Sequence, residues 1–60
     1  MKTFIVTGKY GIQDGQYKQR TYTAQNADNA RKRFIREMKK EVTGLDFVYL
    51  RMNISVVAAS

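Results

Sequence analysis

From Lys2 to Tyr10 the side chains alternate, with Phe4, Val6, Gly8 and Tyr10 on one side of an extended chain and Thr3, Ile5, Thr7 and Lys9 on the other. Period-2 alternation rich in β-branched residues predicts a half-buried strand. A more polar run from Tyr17 to Ala24 predicts a second strand, with Tyr22 and Ala24 towards the core. Lys18 and Arg20 share that side at its open end, and charges there suit an edge strand because they discourage pairing with another chain. Gly11, Asp14 and Gly15 place a hairpin loop at about 11–16, Asp-Gly being a strong turn dipeptide.

The period then changes. Over Asn26–Thr43, stepping 100° per residue, Ala27, Ala30, Phe34, Ile35, Met38 and Val42 fall in one sector, and Lys32, Arg33, Arg36, Lys39 and Lys40 fall opposite. This predicts the chain's one helix. Asn26 is a suitable N-cap, Asp28 suits the positive end of the dipole, and Lys39, Lys40 and Gly44 mark the stop. From Phe47 to Val57 alternation returns: Val48, Leu50, Met52, Ile54 and Val56 line one side, and Phe47, Tyr49, Arg51, Asn53, Ser55 and Val57 the other. A third strand is expected there.

A hairpin followed by a helix that crosses back places the third strand beside the first. The expected fold is therefore α+β: a three-stranded antiparallel sheet of order 2-1-3 with one helix packed on one face, ββαβ, forming a single small basic domain over 1–60. Its expected core is Phe4, Val6, Tyr22, Ala24, Ala30, Phe34, Met38, Val42, Leu50, Met52, Ile54 and Val56.

Composition changes this picture in two ways. There is no cysteine and no histidine, so neither a disulfide nor a structural zinc staples a 60-residue chain, and stability rests on packing. Lysine and arginine outnumber aspartate and glutamate 11 to 5, a net charge of +6. Such a field attracts nucleic acid, anionic membrane or an acidic protein without choosing among them. Position narrows the choice: six of the eleven cations lie between Arg31 and Lys40, where the one acid is Glu37. No segment has the run of about 18 apolar residues of a membrane span, and MKTFIVTGKYG is too short and polar for a signal peptide, so a soluble cytoplasmic protein is expected.

Candidate chemistry follows from these positions. Lys32, Arg36 and Lys39 run down the outward helix face, flanked by Arg33 and Lys40, over about 12 Å, a spacing that can meet successive phosphates. Glu37 and Glu41 sit to one side; Arg33 can pair with Glu37 one turn on. Arg31 is angled among the apolar residues and is expected to snorkel around the helix start or meet an acid at the sheet edge. Ile5, Tyr17, Phe47, Tyr49 and Arg51 are expected on the uncovered sheet face, a protein interface or a platform for stacking bases. The tail VVAAS, apolar on both sides at a sheet edge, reads as a pairing edge for a second copy or, alternatively, as a frayed terminus. Gly8, Gly11 and Gly15 read as turn residues, since no GK[ST] follows them. With no histidine, no cysteine and no pair of acids placed for acid–base work, neither an enzyme nor a metal, cofactor or small-molecule substrate is expected.

The run TYTAQNADNARKRF, the glycine at Gly44, the alternation at Ile54 and Val56, and Phe4, Val6, Gly8, Ala24, Asn26 and Ala30 around them resemble the archaeal ribosomal protein LX and its relatives in the eukaryotic large subunit. In layout the resemblance spans most of the chain. This sequence departs from it in concentrating charge on the helix and in its apolar third strand. The resemblance implies an RNA-associated module without enzymatic activity. Two functions are thus expected. The first is binding of nucleic acid, RNA before DNA, through Lys32, Arg33, Arg36, Lys39 and Lys40. The alternative is a protein-binding accessory or inhibitor module, of the type viruses and mobile elements encode, recognising an acidic host protein or using the open sheet face.

Overall fold

The computed structural model describes residues 1–11 and 15–59. Its order is β1 (Lys2–Tyr10), β2 (Gln16–Ala24), α1 (Ala27–Glu41), α2 (Leu45–Met52) and β3 (Ile54–Ala58). The sheet is antiparallel in the order β2-β1-β3. Phe4 stands opposite Tyr22 and Ala58, and Ile5 opposite Thr21 and Val57. The hairpin loop expected at 11–16 is described only in part, because Asp14 lies outside the described residues; Gly11 has a φ of 87°, a turn conformation that favours glycine.

The alternation of β1 delivers Phe4, Val6 and Gly8 to one face, where they are buried with Tyr22 and Ala24 of β2. Against them α1 sets Ala30, Phe34 and Met38, one residue per turn. Asn26 caps α1 as its side chain predicts: its Oδ1 accepts the Asn29 N–H at 2.9 Å. The helix closes at Val42, an extended residue whose N–H donates to the Met38 carbonyl at 2.8 Å. Ala27, placed in the apolar stripe by its angle, is exposed in the first turn.

Residues 45–52 correct the expectation of a single helix and of a strand starting at Phe47. They form a second helix, and β3 begins only at Ile54. Gly44, expected to stop α1, instead starts α2 with a φ of 67°. The physical reason lies in β1. A Cβ at Gly8 would stand 2.7 Å from the Leu50 Cγ and 3.0 Å from a Phe34 ring carbon, so the missing side chain is the space into which α2 lowers Leu50. Gly8 is accordingly a buried strand residue and not a turn residue. Leu50 is fully buried as expected, but Met52, expected in the core, is 75% exposed, because on a helix residues two apart face different ways. Ile54 and Val56 are half-buried against the core.

Candidate nucleic-acid interface

The cations of α1 owe their freedom to what its acids do. Glu37 and Glu41 lie on the flank facing β2. There Glu37 accepts the Tyr22 hydroxyl at 2.6 Å, and Glu41 accepts Arg20 Nη2 with both oxygens at 2.9 and 3.2 Å. Lys18 Nζ stands 3.6 Å from the same carboxylate. Lys18 and Arg20 therefore do more than guard an edge strand: they anchor the last turn of α1 to β2. These ion pairs are well exposed and contribute little to stability, under about 1 kcal/mol each. Their consequence is electrostatic, since two of the helix's three acids are turned towards the sheet. Burial, then the hydrogen bond and charge of Glu37, raise the Tyr22 hydroxyl far above its ordinary value, with Arg20 and Arg33 opposing.

Of the five expected phosphate contacts, the structure keeps four facing outward and diverts one. Arg36, Lys39 and Lys40 are exposed and form no ion pair or hydrogen bond among the described residues. Lys32 is exposed but pairs with Asp28 one turn back at 3.1 Å. Arg33 does not pair with Glu37 as the spacing allows. Its Nη1 donates to the Thr23 carbonyl at 3.0 Å, and its guanidinium lies 5.0 Å from the Tyr22 ring centroid, a cation–π contact. The Tyr22 hydroxyl holds Glu37, while Arg33 turns towards the end of β2.

That turn completes a trench of about 350 Å³ between α1 and the end of β2, lined by Met1, Gln25, Asn29, Lys32, Arg33 and Arg36 among others. Its volume is at the small end of ligand clefts. Three cations on one wall and two side-chain amides beside them suit an anion with polar edges. The trench was not legible in the sequence, because it needs Arg33 and the β2 end brought together.

The second expected surface is divided. Ile5 and Tyr17 do lie on the uncovered sheet face, with Thr3, Thr7, Thr21, Thr23 and Val57. Phe47, Tyr49 and Arg51 do not: they belong to α2. Phe47 packs partly on the core, and Arg51 lines a separate cleft with Arg31. The open face is thus richer in threonine than in aromatics, which removes the base-stacking platform. Among the described residues Arg31 meets no acid at the sheet edge; it lines a cleft with residues of α2.

Among the described residues no helix is long and apolar enough to cross a membrane, and no group of three or more histidine, cysteine, aspartate or glutamate side chains is gathered as for a metal. No family model, curated protein or solved structure matches the chain.

Proposed function

We propose that this chain is a non-enzymatic, cytoplasmic nucleic-acid-binding module that lays the outward strip of α1 along a phosphate backbone, largely without reading sequence. One observation carries the reading: Glu37 and Glu41 are engaged by β2, which leaves Arg36, Lys39 and Lys40 without carboxylate partners among the described residues, on an exposed face. Lys32 joins them by giving up an exposed pair worth a few tenths of a kcal/mol. Arg33 contributes from the trench side. Single-stranded RNA is the first partner to test, because the resemblance to a ribosomal protein implies RNA. A protein-binding role is favoured by a different surface, the outer stripe of α2.

The test is a salt titration of binding to a single-stranded RNA oligonucleotide. Removing one cation that meets a phosphate should flatten the slope of log affinity against log salt by about 0.7, so Lys32/Arg36/Lys39→Ala should reduce it by about 2. An unchanged slope rejects the strip as the contact surface.

A further inference from the structure

α2 carries more exposed apolar surface than a short helix of a small basic domain should. Leu45, Val48, Tyr49 and Met52 are 72%, 48%, 49% and 75% exposed, whereas Leu50 on its inner side is fully buried. At 100° per residue the four share a sector about 100° wide, an unpartnered stripe two turns long. Beside it a cleft of about 260 Å³ is lined by Phe47, Val48 and Met52 and bracketed by Arg31 from α1 and Arg51 from α2. Neither arginine has an ion pair or hydrogen bond among the described residues. The cleft thus combines apolar side chains with two guanidinium groups that have no partner among the described residues.

We infer that this cleft is a second binding surface, independent of the α1 strip, and that its occupant is an acidic amphipathic helix of a partner protein. Leu45, Val48, Tyr49 and Met52 of α2 form an apolar ridge two turns long, against which the apolar stripe of a partner helix packs with its flank over the cleft. Arg31 and Arg51 select carboxylates on the flank of that helix, since a guanidinium fork accommodates a carboxylate bidentately. A second copy of this chain fits less well. Antiparallel pairing of two α2 helices about a two-fold axis sets like flanks against each other, so the flank that carries Arg51 would meet the same flank of the other copy, while the one acid of α2, Asp46, lies on the opposite flank. Each copy also carries +6.

The experiment titrates the chain with an alanine-based helical peptide of about 14 residues, long enough to hold a helix. It carries leucines at i, i+4 and i+7 and glutamates on one flank. Binding should saturate in the micromolar range, with amide shifts centred on Val48 and Met52. Arg31→Glu/Arg51→Glu should weaken it at least about tenfold and should restore binding when the peptide's glutamates are exchanged for lysines. Lys39→Glu/Lys40→Glu, which lowers the net charge equally, should have far less effect. Equal weakening by both variants would show general attraction to a basic protein, and that outcome, or no saturation at all, overturns the inference. The RNA salt slope should be unaffected by the arginine variant, so this proposal and the nucleic-acid reading fail separately.

Discussion

Gly8 shows how much one missing side chain can decide. It sits in the central strand two residues from its end, and its space is filled by Leu50 and Phe34. Gly8→Ala would push a methyl to within 2.7 Å of Leu50 Cγ, so α2 or the strand must shift. Overpacking of this kind costs roughly 1–3 kcal/mol, which outweighs the fraction of a kcal/mol that alanine gains in a strand by its lower unfolded entropy. Urea unfolding should show that loss with an unchanged m-value; a neutral or stabilising Gly8→Ala would mean that Leu50 does not occupy this space. Tyr22 gives a second residue-scale test. Its hydroxyl titrates higher in the folded chain than the ordinary value of 10.0. Above about pH 10 the unfolded tyrosine loses its proton before the folded one does, so stability is complete below that pH and falls as pH rises further. The stability advantage of the native protein over Tyr22→Phe should therefore shrink above about pH 10. A constant difference across that range would contradict the raised value.

At the scale of elements, residues 45–52 separate two readings that the sequence allows. As a strand, Val48, Leu50 and Met52 would share one buried face; as a helix, Leu50 alone of the three is buried. Leu50→Ala should cost about 2–5 kcal/mol, as core leucines do. Met52→Ala should stay within about 0.5 kcal/mol, as exposed positions do. Comparable losses at both positions would restore the strand. Strict alternation over five apolar residues favours the strand, but LDFVYLRM also carries a stripe at helical spacing, and an eight-residue window fits both periods. What tips it is outside the window. β3 pairs with Phe4 to Gly8 of β1, and over Gly8, where that pairing ends, the covered face is occupied by Leu50. α1 was readable because its stripe is 15 residues long and both ends carry cap signals.

For the whole molecule the two sheet edges are unequal. β2 carries Lys18 and Arg20, whereas Ile54–Ala58 of β3 carries no charge. Ala59 N–H donates to the Thr3 carbonyl and Lys9 N–H to the Asn53 carbonyl, so odd-numbered residues of this strand bond inward. By the alternation of antiparallel ladders, Ile54, Val56 and Ala58 turn their N–H and C=O groups to the outer edge. Self-association along that edge is expected at high concentration, and Ser55→Lys, on the exposed face, should abolish it. Sedimentation velocity checks this; a native chain that stays monomeric at millimolar concentration removes β3 as a pairing edge.

The sequence by itself determined the strand order, the helix that follows the hairpin, and the concentration of positive charge on that helix. These depend on periodicity, caps and composition, which are properties of neighbouring residues. Tertiary structure decided that residues 45–52 coil, that Arg33 turns to Thr23 and Tyr22, and that Arg31 meets Arg51 across a cleft. Each of these depends on which side chain first fills a space bounded by residues far apart in the chain, and local pattern carries no record of that competition.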